Sequence, residues 1–153
     1  MKLSRRHRKC FYSAFSILFF SGLLWFVLHY GFSYVKETCF PVRPLEVWSL
    51  KIHGAAAMFA LVILGTLIPQ HIKKGWKDGL NRRNGVIVIA ANLLLIVSGY
   101  GLYYAGGEWA RSFSTWIHVS IGFLLPGLIF WHVQEGRRSR KKMHHRPIKH
   151  ATS

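Results

Sequence analysis

Histidines are the residues of this chain whose type and spacing point most directly to chemistry. The 153-residue sequence contains nine of them. Four stand among basic residues near the two ends, which indicates solvated arms: His7, His144, His145 and His150. The other five lie within or beside long apolar stretches: His29, His53, His71, His118 and His132. An ionisable side chain inside a membrane-spanning segment is costly, so its presence there suggests a function.

Two pairs of histidines are spaced so that each pair shares one face of a helix. His118 and His132 are 14 residues apart, and at about 100° per residue this interval returns the side chain to within about 40° of the same direction. His53 and His71 are 18 residues apart, which is about five full turns. Two helices thus each offer one imidazole near each end. At 1.5 Å per residue the two levels are about 21 Å apart on one helix and about 27 Å apart on the other.

Four stretches without Asp, Glu, Lys or Arg must position these histidines. They are residues 11–35, 53–71, 85–107 and 112–134. The first has 25 residues, enough for a helix to cross a hydrocarbon core of about 30 Å. The loops are short, so consecutive helices should be antiparallel neighbours. The sequence therefore predicts an all-α, integral-membrane, up-down four-helix bundle over residues 11–135, and no internal repeat is evident.

The net charge of +16 would favour nucleic-acid binding if the basic residues formed a patch. Seventeen of the 21 Lys and Arg residues instead lie before the first apolar stretch, between the second and third, or after the fourth. This positive-inside pattern predicts a multi-pass membrane protein with both termini in the cytoplasm. Residues 1–10 then form a basic cytoplasmic arm and residues 136–153 a basic, disordered tail, in contact with membrane lipid and not with nucleic acid.

Two facing imidazoles at each of two levels suit haem iron. A haem held by two histidines is six-coordinate and passes single electrons. Zinc would need further cysteine or carboxylate ligands, and a proton relay normally uses Asp or Glu, which the apolar stretches lack. We therefore expect two haem sites, each with two histidine ligands. The predicted ligands are His53 and His118 for an outer haem and His71 and His132 for an inner haem.

His29 ends the first apolar stretch at the outer level, where two ligands are already predicted. Three interpretations stay open for it. His29 replaces one of the two outer ligands, forms a hydrogen bond with a quinone or a haem propionate, or lies at the membrane interface beside Tyr30.

Three stretches of the sequence carry a family resemblance. They are LKIHGAAAMFALVILGTLIPQHIKKGW (Leu50–Trp76), LLIVSGYGLYYAG (Leu94–Gly106) and WIHVSIGFLLPGLIFWHV (Trp116–Val133). With the Ser-Gly pair of the second stretch and the two histidines of the third, the chain resembles the bacterial four-helix b-type cytochromes. These include the small DUF4405-type membrane proteins and, more distantly, the di-haem cytochrome b subunits of formate dehydrogenases and nickel–iron hydrogenases.

The resemblance implies a di-haem cytochrome b of the bacterial inner membrane that exchanges electrons with the quinone pool or a redox partner protein. In the dehydrogenase subunits the inner haem takes one ligand from helix 1 near its cytoplasmic start. Here that region offers only His7 among arginines, and His71 is the better candidate. The alternative, from another functional class, is a haem-free membrane anchor or assembly subunit of a redox complex. An electron-transfer subunit is favoured over a separate enzyme, because six-coordinate iron binds no substrate.

Overall fold

The computed structural model describes residues 5–32, 42–77 and 82–144, and all elements in these ranges are helical. In chain order they are α1 (Arg5–Phe26) with a π-helical turn (Val27–Gly31), α2 (Val42–Leu67) with a second π-helical turn (Ile68–Ile72), α3 (Lys73–Lys77), α4 (Arg82–Tyr104) and α5 (Glu108–His144). The prediction of an all-α protein is confirmed. Within the described residues, four helical segments are long and apolar enough to cross a membrane: Arg5–Gly31, Arg43–Leu67, Arg82–Tyr104 and Glu108–Ser139.

Alanine and serine are prominent among the buried residues, beside Leu28, Ile63, Leu67 and Leu125, whereas many large apolar side chains are exposed. Ala14, Ala60 and Ala91 are buried, as are Ser21 and Ser98. Large apolar side chains lie exposed along the same helices, including Phe20, Phe59, Val97, Leu124 and Phe130. Small residues at helix contacts let the backbones approach closely, which is typical of helices packed in lipid. The exposed apolar surface is therefore suited to contact with membrane lipid.

The chain divides into two compact units, Met1–Lys73 and Lys74–Ser153. In the first unit α1 and α2 are antiparallel. His7 Nε2, near the start of α1, lies 3.1 Å from Thr66 Oγ1 near the end of α2. His29, in the π-helical turn after α1, contacts Glu46 near the start of α2. We call α1 and α2 with their π-helical turns hairpin 1.

In the second unit α4 and α5 are antiparallel and form hairpin 2. The early part of α4 meets the late part of α5, where a Cβ built on Gly85 would lie 3.7 Å from His132 Cε1. The late part of α4 meets the early part of α5, where a Cβ on Gly99 would lie 3.3 Å from His118 Cε1. Consecutive long helices thus run up and down within each hairpin, as the short loops predicted.

Helix α5 is longer at both ends than the sequence indicated. The fourth uncharged stretch of the sequence begins at residue 112, but α5 begins at Glu108. Gly107, with φ of 97°, makes the turn in a conformation that favours glycine. The helix continues to His144, so the prediction of disorder is wrong for residues 136–144. Arg and Lys are good helix formers, and their charge is favourable near a helix C-terminus. Residues 145–153 of the predicted tail lie outside the described residues.

Pro69 lies in the second π-helical turn, Ile68–Ile72. Proline has no backbone N–H and its ring clashes with the carbonyl one turn earlier, which explains why α-helical hydrogen bonding stops here. A π-helical turn has more residues than an α-helical one, so each residue rotates the chain by less than 100°. The interval from His53 to His71 therefore falls short of five full turns, because its last residues belong to the π-helical turn.

Candidate functional site

His53 of α2 is fixed against α1 through one ring nitrogen. His53 Nδ1 lies 2.9 Å from the Leu18 carbonyl oxygen and 3.3 Å from Ser21 Oγ. A carbonyl oxygen only accepts hydrogen bonds, so Nδ1 carries the proton and donates it. In the neutral ring Nε2 then holds the lone pair, which is the atom a metal would bind. The hairpin thus selects one tautomer of His53.

Gly22 makes this seat for the imidazole possible. A Cβ at position 22 would lie 2.9 Å from His53 Cε1 and 3.0 Å from His53 Nδ1. Both distances are shorter than carbon contacts at optimal separation, about 3.5–4.0 Å. The Nδ1–Cε1 edge of the ring therefore lies directly over the glycine backbone, where no other side chain fits.

His118 of α5 is held in the same way against α4. Ser98 Oγ donates to the Leu94 carbonyl at 2.6 Å and lies 3.0 Å from His118 Nδ1. Because the serine hydrogen is directed to Leu94, the serine oxygen accepts from His118 Nδ1–H. The tautomer is again the one with its lone pair on Nε2. Gly99 lies beneath the ring, and its Cβ would be 3.3 Å from His118 Cε1.

These matching contacts belong to a repeat that relates the first helices of the two hairpins. The sequence of α4 follows that of α1 at an offset of 77 residues. The equivalent residues are Arg5-Arg6 and Arg82-Arg83, Ala14 and Ala91, and Ser21-Gly22 and Ser98-Gly99. Both alanines and both serines are buried. The two helices therefore present the same small residues to their partners.

The second helices repeat as well, at an offset of 65 residues. Their equivalent residues are Ser49 and Ser114, Ile52 and Ile117, His53 and His118, and Ala60 and Leu125. The last pair is buried in both hairpins. The sequence signals are two copies of Ser-x-x-Ile-His and two copies of Arg-Arg followed 16 residues later by Ser-Gly. They were missed because the connecting segments differ in length and give the two helices different offsets.

The predicted inner level is built differently in the two hairpins. In hairpin 2 His132 lies over Gly85, 14 residues along each helix from the contact of His118 with Gly99. The equivalent positions in hairpin 1 are Arg8 and Leu67, so this second histidine seat is not repeated there.

Two other histidines of hairpin 1 lie towards that end. His71, the predicted inner ligand, is half-buried in the second π-helical turn. His7 contacts Thr66, the neighbour of Leu67. Sequence reasoning had assigned His7 to a solvated arm, and its contact with α2 was not foreseen.

His29 contacts neither Ser-Gly pair in the bonds described. Its Nδ1 lies 2.6 Å from Glu46 Oε1. Glu46 lies before the second uncharged stretch of the sequence, and the long connection between the two residues carries no signal of their pairing. His29 therefore has a partner, Glu46, that the sequence did not reveal.

The donors suit a group that brings most of its own ligands. Among residues 5–32, 42–77 and 82–144, no three His, Cys, Asp or Glu side chains form a cluster that could hold a metal ion. A haem iron already has four porphyrin nitrogens and needs one imidazole on each side. Single, tautomer-fixed histidines over glycine fit that requirement.

Comparison with protein-family models, curated proteins and solved structures found no match to this chain.

Proposed function

We propose that the protein is a di-haem cytochrome b of the bacterial inner membrane. It carries electrons across or within the membrane between a quinone pool and a redox partner protein. The observation that supports this most is the repeated seat of His53 and His118. Each ring lies over glycine and has Nδ1 in a hydrogen bond, which leaves the lone pair on Nε2. Each hairpin offers one of these equivalent imidazoles, and an outer b haem with two histidine ligands requires two.

Hydrogen bonds within the chain hold the rings of His53 and His118 in orientations suited to binding iron. Hydrogen bonds from the non-ligating nitrogen fix the orientation of a ligand histidine and raise its basicity. Leu18 and Ser21 do this for His53, and Ser98 does it for His118. A haem with two histidine ligands supplies one-electron transfer without an open coordination position.

For the inner haem we propose His132 and His71 as ligands. His132 occupies the second seat of hairpin 2, over Gly85. In hairpin 1, His7 is the competing ligand, because its contact with Thr66 brings it beside the position equivalent to His132. The distribution of Lys and Arg supports an orientation with both termini in the cytoplasm, and hence an inner level on that side.

The decisive experiment is a reduced-minus-oxidised visible spectrum of the detergent-purified protein, with haem per chain measured as the pyridine haemochrome. We expect a low-spin b-type spectrum and about two haems per chain. His53→Ala and His118→Ala should each remove one haem, and to the same extent, while His150→Ala in the tail should remove none. A haem-free protein that tolerates the first two substitutions would instead establish the alternative of a membrane anchor or assembly subunit.

A further inference from the structure

Arg111 of α5 is a positively charged residue on the side of the membrane where the charge pattern of the chain places few. Seventeen of the 21 Lys and Arg residues belong to the predicted cytoplasmic segments, and Arg111 is one of the four that do not. It also lies inside the candidate span Glu108–Ser139, where a charge is costly unless it is paired or reaches water. Membrane orientation therefore does not explain the presence of this arginine.

The Arg111 side chain is exposed and is not part of an ion pair. The nearest acid along α5 is Glu108, three residues earlier, but no ion pair joins the two side chains in the part of the chain that the structure describes. A guanidinium group offers five N–H donors in a planar fork that matches a carboxylate or a phosphate. Arg111 is therefore available to bind an anionic group that the chain itself does not supply.

The register of α5 places Arg111 in line with His118. The two residues are seven apart in one unbroken helix, so they lie within about 20° of the same direction and about 10.5 Å apart along the axis. Ser114 lies between them on the same face, and a Cβ at Gly101 of α4 would be 2.5 Å from its Oγ. A flat group that is bound through His118 and extends outward along this face therefore has Arg111 at its outer edge.

Hairpin 1 has the opposite charge at the equivalent position. At the offset of 65 residues that relates α2 to α5, Arg111 corresponds to Glu46, which lies seven residues before His53. The two histidine seats are thus alike, whereas the residues two turns outward from them are a cation in one hairpin and an acid in the other. An anionic group on a ligand shared by the two seats would be paired by hairpin 2, through Arg111.

We propose that Arg111 binds a propionate of the outer haem and fixes the direction in which the propionate edge faces. The inference rests on the proposed function, because it concerns a haem held by His53 and His118. A b haem carries two carboxylates on one edge of an otherwise apolar ring, and a guanidinium pairs with a carboxylate through two parallel N–H···O bonds. Burial of a carboxylate without such a partner is costly. The propionate edge then faces the outer side of the membrane.

The test compares Arg111→Gln and Arg111→Lys with the wild type, as purified full-length protein loaded either with haem or with haem dimethyl ester, in which both propionates are methylated. With haem, Arg111→Gln should release one haem to a haem-free globin about tenfold faster, the effect of losing one charge-assisted hydrogen bond. Arg111→Lys should recover part of this loss, because lysine keeps the charge but not the planar fork. With the ester, all three proteins should release haem at the same rate.

Lys51→Gln is the matched control. Lys51 is also a cation on the predicted outer side, but it is two residues from His53 and so points about 160° away from it on α2. Its Nζ lies 4.9 Å from the centroid of the Trp48 ring. This substitution should leave haem release unchanged. A spectroelectrochemical titration gives a second measurement, in which Arg111→Gln should lower the outer haem potential, because a nearby cation stabilises the reduced form.

Haem content separates the failure of this proposal from the failure of the proposed function. A protein with two haems whose release is equal in Arg111→Gln and the wild type overturns the proposal and leaves the cytochrome intact. Faster release that persists with the ester also overturns it, because Arg111 would then act without the propionate. A haem-free wild type refutes both. Each variant should keep the wild-type helicity, since Arg111 is exposed and Gln and Lys are good helix formers.

Discussion

Hairpin 1 and hairpin 2 hold one histidine each in nearly the same seat. His53 lies over Gly22 with Nδ1 bonded to Leu18 O and close to Ser21 Oγ, and His118 lies over Gly99 with Nδ1 bonded to Ser98. The same small residues in the same register support one task performed twice. Where a protein uses two equivalent imidazoles, duplicating the hairpin that presents one is a direct way to obtain both.

The two hairpins differ at the ends that the charge pattern predicts to lie on the outer side of the membrane. Hairpin 1 places its acid–imidazole pair there. Hairpin 2 has instead an open apolar groove of about 360 Å³, lined in part by Gly101, Tyr104 and Phe113. The shared seat therefore corresponds to the two proposed outer haem ligands, whereas the acid–imidazole pair and the groove are each specific to one hairpin.

The hairpins also differ in the histidines at their predicted inner ends. Substitution of these histidines should have the largest effect on the haem count. Under the proposed assignment, His71→Ala removes the inner haem and lowers the count from two to one per chain, because the iron loses one of its two strong ligands. His7→Ala should keep both haems. The pyridine haemochrome assay measures the count, with His145→Ala as the control for a histidine of the basic tail.

The opposite result would change the comparison between the hairpins. If His7→Ala loses a haem and His71→Ala does not, hairpin 1 contributes its inner ligand from its first helix. Hairpin 2 would still contribute His132 from its second helix. The two inner ligands would then come from helices that are not equivalent, as well as from positions that are not equivalent.

Alanine in place of the two seat glycines should produce the next largest effect, and an unequal one. The Cβ of Gly22→Ala would lie 2.9 Å from the His53 ring, whereas that of Gly99→Ala would lie 3.3 Å from the His118 ring. Overpacking of this kind costs about 1–3 kcal/mol. We expect Gly22→Ala to approach the upper value and Gly99→Ala the lower, measured as loss of thermal stability and of haem retention.

Gly54→Ala is the matched control for these variants, since nothing lies within 4 Å of a Cβ at that position. Alanine is favoured over glycine in a helix by about 1 kcal/mol, so this variant should be as stable as the wild type or more stable. Equal destabilisation by all three substitutions would show that the histidine seats have no special requirement for glycine.

The sequence was sufficient for the helical class and for the spans, because uninterrupted apolar stretches of this length have few other structures. It also predicted a constant rotation between His118 and His132, whose 14-residue spacing lies within one unbroken helix, α5. The spacing of His53 and His71 was less informative, because a π-helical turn interrupts the period between them. A prediction from residue spacing assumes the same rotation at every residue. This assumption fails in the π-helical turn that contains Pro69.

Contacts between helices were the part that the sequence did not reveal. Ser98 and Gly99 were noted only as part of the family resemblance, and their contact with His118 depends on the register between α4 and α5. The pairing of His29 with Glu46 depends in the same way on the register between α1 and α2. Register is set by the whole packed surface, so no short motif encodes it.

The smallest expected effect concerns the serines, and it tests whether the two seats tune their ligands equally. Ser98→Ala removes the bond from His118 Nδ1 to the serine, whereas Ser21→Ala leaves the bond from His53 Nδ1 to Leu18 O in place. A hydrogen bond has a net value of about 0.5–1.5 kcal/mol, which at about 59 mV per tenfold change corresponds to about 20–60 mV in a one-electron potential. We expect Ser98→Ala to shift the outer haem potential by such an amount in a spectroelectrochemical titration, and Ser21→Ala to shift it by less.

The exposed Ser120 supplies the control variant Ser120→Ala, which should leave the potential unchanged. Equal shifts for Ser21 and Ser98 would mean that the serines, and not the Leu18 carbonyl, set the basicity of both ligands.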